Sequence, residues 1–118
     1  MTRVLIVDDQ PDFRCQLRQM LTLAGLVVVG EAGDIAEAEL LAQQEQPDMA
    51  IVDVVMPNVN GLDGTRRLKS LLPQLKVILV SAYLDRAHVF RSAAREAGAE
   101  TFVPKDELDL ELLRTWNQ

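Results

Sequence analysis

Short apolar segments alternate along the chain with longer stretches in which apolar residues recur at helical spacing. The short segments are mostly β-branched and nearly free of polar residues, which favours strands buried on both faces, as in a parallel sheet. They are Val4–Val7, Val27–Val29, Met49–Val52, Val77–Val80 and Thr101–Val103. A buried helix segment could give a similar pattern, but the short lengths and the flanking breakers favour strands.

Amphipathic stretches follow these segments and predict five helices. Pro11 suits the first turn of the first helix and Gly25 its end, while Asp34 followed by Glu37 resembles a capping box at the start of the second. The helices are expected around Phe13–Ala24, Ile35–Ala42, Gly61–Leu72 and Phe90–Ala97, with a last helix beginning near Asp106 and running through Leu108, Leu112 and Trp116.

The alternation of strand and helix along the chain is typical of an α/β fold. Each connection between parallel strands is expected to be right-handed and to place its helix on a face of the sheet, so we predict a three-layer αβα sandwich. The length of 118 residues suits a single core, and no linker, low-complexity tract or duplication divides the chain. Residues 1–118 are therefore expected to form one domain.

The charge balance excludes some classes of partner. There are 12 Lys and Arg residues against 18 Asp and Glu residues, which gives a formal net charge of −6. Binding of nucleic acid depends on cations that displace the counterions of phosphates, so this acidic chain is not expected to bind DNA or RNA itself. An acidic protein is equally unsuited to an anionic membrane face.

Cysteine content and hydropathy indicate the compartment. The single cysteine, Cys15, can form no disulfide within the chain and is expected to pack beside the first helix as a small hydrophobe. No apolar run approaches the roughly 20 residues of a membrane span, and the N-terminus lacks the pattern of a signal peptide. We therefore expect a cytoplasmic protein without a membrane segment.

Reactive side chains follow four of the five predicted strands. Asp8 and Asp9 follow the first strand, Asp53 the third, Ser81 the fourth and Lys105 the fifth. In open α/β sheets, binding sites form at the carboxyl ends of strands near the point where the strand order reverses. The second strand ends without an obvious reactive group, as expected of an edge strand.

The three acidic residues would converge if the first and third strands are neighbours. Carboxylates in contact disfavour each other's ionisation unless a cation compensates them, and a site with only oxygen ligands favours a hard cation such as Mg²⁺. The ammonium of Lys105 and the hydroxyl of Ser81 could stabilise the charged oxygens of an incoming phosphoryl group. Asp53, at the centre, is the best candidate for a nucleophile that forms an aspartyl-phosphate.

Four segments carry a resemblance to a known family. They are Val4–Asp9, Ile51–Pro57 with Gly61 following, Val80–Ala82 and Gly98–Lys105. In this order and at these separations, the chain resembles the receiver domain of bacterial two-component response regulators over essentially its whole length. The resemblance implies a flavodoxin-like fold, with a five-stranded parallel sheet in the order 2-1-3-4-5 and helices on both faces.

The resemblance also implies a role for each site residue. Asp53 matches the phosphoacceptor, Asp9 the acid that contacts Mg²⁺ directly, and Asp8 its assistant, while the backbone carbonyl of Val55 matches the remaining metal ligand. Lys105 matches the lysine that contacts the phosphoryl group. The conformational switch corresponds to the Ser81 hydroxyl and the aromatic ring of Phe102.

Partners and output follow from the same resemblance. The expected phosphodonor is a phosphohistidine on a histidine kinase or phosphotransferase, and the chain would catalyse only its own phosphorylation and dephosphorylation. Phosphorylation would reshape the surface of helix 4, strand 5 and helix 5, with homodimerisation as one result. Many receivers have proline after the lysine, whereas Asp106 follows Lys105 here, as in the subfamily with helix-turn-helix DNA-binding outputs. A role in regulating transcription through such a domain is the corresponding expectation.

Two positions beside the site bear on the lifetime of the phosphoryl group. Val55 and Tyr83 each lie two residues past a site residue, where receivers vary. Neither offers a carboxylate or an amide to orient a water molecule, so slow autodephosphorylation is expected.

Simpler interpretations remain for each residue. Asp8 and Asp9 could cap the first helix, and Asp53 could end a strand in a turn. Ser81 could start a helix, and Lys105 could be a solvated surface lysine. Rival functions are an aspartyl-phosphate phosphohydrolase, a pseudo-receiver that binds partners without phosphorylation, and a flavodoxin-type carrier. A phosphohydrolase of this kind usually has one residue between its two acids, whereas Asp8 and Asp9 are adjacent. A pseudo-receiver usually lacks one of the site residues, and none is missing here. A flavodoxin-type carrier needs a phosphate-binding loop after the first strand, and this chain has no such loop there.

Overall fold

The computed structural model describes residues 1–82 and 87–117, with the backbone alone at 87–89. Tyr83, expected to influence the phosphoryl lifetime, lies outside the described residues. The strands are β1 (Arg3–Val7), β2 (Val27–Ala32), β3 (Met49–Asp53), β4 (Lys76–Ser81) and β5 (Thr101–Pro104). The α-helices are α1 (Pro11–Leu23), α2 (Ile35–Glu45), α3 (Gly61–Leu71), α4 (Ala87–Ala97) and α5 (Leu110–Thr115). None of the described helices is long and apolar enough to cross a bilayer.

The strands form one parallel sheet in the order β2-β1-β3-β4-β5, which confirms the predicted flavodoxin-like αβα fold. Alternate residues of a strand face opposite sides of the sheet. Leu5 and Val7 therefore join the core under α2, α3 and α4, while Val4 and Ile6 join the core under α1 and α5. The strand order reverses between β1 and β3, so their carboxyl ends flank the switch point.

Local signals explain most helix ends. Pro11 stands in the first turn of α1, and Gly25 follows its end with a φ of +93°, which favours glycine. At α2, the Asp34 side chain accepts a hydrogen bond from the backbone N–H of Glu37 at 2.8 Å. The Glu37 carboxylate in turn accepts from the Gly33 N–H at 2.8 Å, so the predicted capping pair forms with the back-bond one residue earlier.

The predicted start of the last helix is wrong. A 3₁₀ turn covers Lys105–Glu107, Leu108 is extended, and α5 begins only at Leu110. The Asp109 side chain accepts a hydrogen bond from the Leu112 N–H at 2.8 Å and fixes this later start. The expected packing of Cys15 is also wrong, since this side chain is exposed on the outer face of α1.

Candidate phosphoryl-acceptor site

Four of the predicted site residues meet at the carboxyl edge of the sheet. Asp8 follows β1, Asp53 ends β3, Ser81 ends β4 and Lys105 follows β5. Asp8, Asp53 and Ser81 are exposed to only 1%, 5% and 0%, an unusual degree of burial for charged and polar side chains. The parallel sheet thus collects groups that are far apart along the chain into one buried polar cluster.

The acidic cluster consists of Asp8, Asp9 and Asp53, and one carboxylate oxygen of each residue lies within 4.8 Å of one from each of the other two. Asp8 Oδ1 accepts a hydrogen bond from the Gln10 N–H at 2.9 Å, while Asp8 Oδ2 is buried without a hydrogen-bond partner among the described residues. Gln10 is the N-cap residue of α1, and its own side chain makes no capping hydrogen bond. Neither Asp8 nor Asp9 is therefore the N-cap residue, although the Asp8 carboxylate accepts a hydrogen bond from the backbone N–H of Gln10.

Lys105 reaches into this cluster from the end of β5. Its Nζ lies 2.8 Å from Asp8 Oδ2, an ion pair outside hydrogen-bonding geometry, and 3.3 Å from Asp53 Oδ2, to which it donates a hydrogen bond. Only 12% of the Lys105 side chain is exposed, so Lys105 is not a solvated surface lysine. The same ammonium lies 4.1 Å from the ring centroid of Phe13.

The environment of Asp53 raises the pKa of its carboxyl from 3.8 to about 6. Burial is the largest cause, because it penalises the charged form, and the neighbouring charge of Asp8 raises the pKa further. The Lys105 ammonium opposes both effects, as does the Val55 N–H, which donates to Asp53 Oδ1 at 3.2 Å. Asp53 is therefore ionised at neutral pH but at a cost in stability.

The donor set of the acidic cluster fits a hard divalent cation. Three carboxylates face one ammonium, so negative charge is in excess, and the buried Asp8 Oδ2 lacks a hydrogen bond from the described residues. Oxygen donors without thiolate or imidazole are the set that Mg²⁺ and Ca²⁺ prefer. The cluster therefore has both the chemistry and the uncompensated charge of a site for such an ion.

Ser81 and Phe102 occupy positions next to the cluster. Ser81 is the last residue of β4 and pairs in register with Pro104 of β5, so Ser81 does not start a helix. Phe102 is 4% exposed, and its ring lies 5.6 Å from that of Phe90 at an angle of 49°. Ser81 and Phe102 therefore lie on neighbouring strands, and the register partner of Phe102 is Leu79, two residues before Ser81.

Three residues that support the site had not been assigned a role in it from the sequence. Phe13 contacts Lys105, and Arg14 Nη1 donates to the backbone carbonyl of Asp8 at 2.5 Å while its Nε pairs with Glu31 of β2 at 3.2 Å. Gly61 packs so closely that an added Cβ would lie 2.1 Å from the Asp53 carbonyl oxygen. In the sequence, Phe13 has the pattern of an ordinary core residue. The ion pair of Arg14 could not be predicted, because Glu31 is distant in sequence.

Comparison with known proteins identifies the family. The family model of the response regulator receiver domain matches residues 4–116. This chain belongs to that family. The chemotaxis protein CheY of Thermotoga maritima is 38% identical to this receiver domain over 103 residues, which make up 87% of this chain and 84% of CheY. The identification accounts for the motif order in the sequence and for the sheet order in the structure.

Two further similar proteins differ in length and in the assembly in which they occur. The transcriptional regulatory protein PdtaR of Mycobacterium tuberculosis is 39% identical over 105 residues, which cover 87% of this chain but 49% of PdtaR. The chain thus spans about half the length of that relative. A chain in the crystal structure of the CheX–CheY–BeF₃–Mg²⁺ complex from Borrelia burgdorferi superposes with a TM-score of 0.85 at 28% identity, covering 97% of this chain and 86% of that chain.

Proposed function

We propose that this receiver domain, taken as residues 1–118, accepts a phosphoryl group on Asp53 from a phosphohistidine of a histidine kinase or phosphotransferase. The observation that carries the proposal is the position of Asp53. Its carboxylate is buried between the acidic pair after β1 and the Lys105 ammonium, 3.3 Å away. Asp8 shares these surroundings, but Asp53 differs from it in accepting hydrogen bonds on its two carboxylate oxygens from the Val55 N–H and from Lys105.

Asp8, Asp9, Asp53 and the backbone carbonyl of Val55 are the groups that would hold Mg²⁺. When bound, the ion would neutralise charge on the phosphoryl oxygens and on the acidic cluster. Asp9 is exposed and Asp8 is buried, which suits a site with one side open to solvent. The Val55 N–H, by donating to Asp53 Oδ1, holds the acceptor carboxylate in a fixed orientation.

The transfer step needs a nucleophile and stabilisation of charge. A carboxylate oxygen of Asp53 attacks the phosphorus, the bond between phosphorus and the donor imidazole nitrogen breaks, and its electron pair remains on that nitrogen. The product is an acyl phosphate on Asp53. Lys105, already within 3.3 Å of that carboxylate, would pair with the phosphoryl oxygens, and the Ser81 hydroxyl would donate to one of them.

The response is proposed to be a shift between two conformations. The new hydrogen bond of Ser81 and the ion pair of Lys105 favour one state, and the ring of Phe102 moves as Ser81 does. The surface formed by α4, β5 and α5 then changes for a partner or for a second copy of the chain. Since PdtaR is a transcriptional regulatory protein about twice as long, we propose a role in regulating transcription through an output domain outside this sequence.

Intact mass spectrometry after incubation with acetyl phosphate tests the proposal. We expect one added phosphoryl group that requires Mg²⁺ and is absent in Asp53→Asn. Asp12→Asn is the matched control, because Asp12 is an exposed carboxylate in the first turn of α1 outside the acidic cluster. Absence of an adduct under every condition would overturn the proposal and favour a pseudo-receiver that binds its partners constitutively.

A further inference from the structure

We infer that Phe13 is a positioning residue for the Lys105 ammonium and, in this way, sets the rate at which the receiver domain is phosphorylated. The inference deepens the proposed function and rests on it for its consequence, although the contact itself does not depend on phosphorylation. The Lys105 Nζ lies 4.1 Å from the centroid of the Phe13 ring. This separation is well within the roughly 6 Å at which a ring face attracts a cation.

The surroundings strengthen this contact. Only 12% of the Lys105 side chain is exposed, so little water competes with the ring for the ammonium. Cation–π attraction is larger where the cation is desolvated. Among the described residues, the charged neighbours of the ammonium are Asp8 Oδ2 at 2.8 Å and Asp53 Oδ2 at 3.3 Å.

The Phe13 ring carries no charge, unlike the carboxylates of Asp8 and Asp53. A third carboxylate would compete with the phosphoryl group for the lysine, whereas a neutral ring attracts the ammonium without forming a competing ion pair. Lysine has a long stem with many rotamers, so contacts that restrict its position reduce the ordering needed when the charge is used. Phe13 therefore holds Lys105 near the acceptor carboxylate and leaves its charge available.

The place of Phe13 in α1 explains why the contact is specific to an aromatic residue. Pro11 starts the helix, and Phe13 in the first turn packs partly buried against the core between α1 and the sheet. Leucine or methionine would also satisfy that core position, as Met20 does on the same stripe. An aliphatic side chain would fill the space but would lack the ring face under the ammonium.

Phosphorylation kinetics with acetyl phosphate and Mg²⁺ test the functional consequence. We expect Phe13→Leu to slow phosphorylation about fivefold and Phe13→Tyr to stay within about twofold of the parent, since tyrosine keeps the ring. In a Lys105→Met background, Phe13→Leu should cause no further loss. Met20→Ala is the control for loosening of α1 and should leave the rate unchanged. An equal loss with and without Lys105, or an equal loss in Phe13→Tyr, would overturn the inference.

An NMR measurement tests the contact without phosphorylation. The ε-methylene protons of Lys105 should be shifted upfield by the Phe13 ring, and the shift should disappear in Phe13→Leu, or in Phe13→Met if the leucine variant does not fold. Absence of that shift in the parent protein would overturn the inference. If the shift is present and no phosphoryl adduct forms, the contact stands, whereas the proposed function and the rate effect both fail.

Discussion

The ammonium of Lys105 lies 2.8 Å from Oδ2 of Asp8, so a residue after the edge strand β5 pairs with a buried carboxylate after β1. The same nitrogen lies 3.3 Å from Asp53 Oδ2, and one positive charge thus serves two buried carboxylates on different strands. A buried carboxylate that lacks a full compensating charge lowers the stability of the folded protein. We therefore expect that the buried carboxylates reduce the stability of the receiver domain while they keep Asp53 available for reaction.

Asp53→Asn should stabilise the protein in the absence of divalent cations at neutral pH. The folded-state pKa of Asp53, about 6, lies above the ordinary value of 3.8, so the folded protein binds this proton more tightly than the unfolded chain. Stability must then fall as pH rises from about 4 to about 6 and stay reduced above that window. Since asparagine cannot ionise, we expect a gain of about 2–3 kcal/mol in the free energy of unfolding at pH 7.5.

Urea unfolding of the parent and Asp53→Asn proteins in EDTA, measured between pH 4 and pH 8, checks this difference. The gain should become small near pH 4, where Asp53 is protonated in the folded protein and roughly half protonated in the unfolded chain. Asp12→Asn, which removes an exposed carboxylate outside the acidic cluster, is the control variant. A difference between parent and Asp53→Asn that is the same at every pH would contradict the predicted ionisation.

Mg²⁺ should stabilise the receiver domain, and more strongly at higher pH. Bound cations stabilise a fold in proportion to the logarithm of their concentration above Kd, and the ligand carboxylates must be deprotonated. We therefore expect 10 mM Mg²⁺ to raise Tm by several degrees at pH 8 and by much less at pH 5. Asp8→Asn should reduce the shift at pH 8. An equal shift in Asp8→Asn and parent proteins would place the ion elsewhere.

Gly61→Ala should damage the loop between β3 and α3. An added Cβ at Gly61 would lie 2.1 Å from the Asp53 carbonyl oxygen, and this neighbour is backbone and cannot rotate away. We expect a loss of about 2–4 kcal/mol in stability and slower phosphorylation of Asp53. Gly33→Ala is the matched control, since its Cβ would meet only the flexible end of Arg14 at 3.6 Å. Similar losses in the two variants would contradict this explanation.

The acyl phosphate is expected to be long-lived. Val55 is 46% exposed beside Asp53, and its side chain carries no polar group that could orient an attacking water molecule. We expect a half-life of minutes or longer after removal of the donor, measured by loss of label, and a shorter one in Tyr83→Glu. A half-life of seconds in the parent protein would contradict the prediction.

Much of the fold was predictable because its signals are local. The runs Val4–Val7 and Met49–Val52 predict buried strands, and the structure has β1 and β3 there. The start of α5 was misplaced because Asp106 and Asp109 are equally plausible caps in sequence. The 3₁₀ turn at Lys105–Glu107 and the extended backbone of Leu108 make Asp109 the N-cap of α5.

The sequence by itself determined which side chains follow the strands, and hence that Asp8, Asp53 and Lys105 would meet at one edge of a parallel sheet. Only the tertiary structure decided how they meet. Ion-pair distances, burial and the raised pKa of Asp53 depend on how strands distant in sequence are placed side by side. The contact between the Phe13 ring and Lys105 was likewise decided by the tertiary structure. An apolar residue on a helical stripe is predicted to pack against the core, but the sequence does not indicate which side chain it contacts.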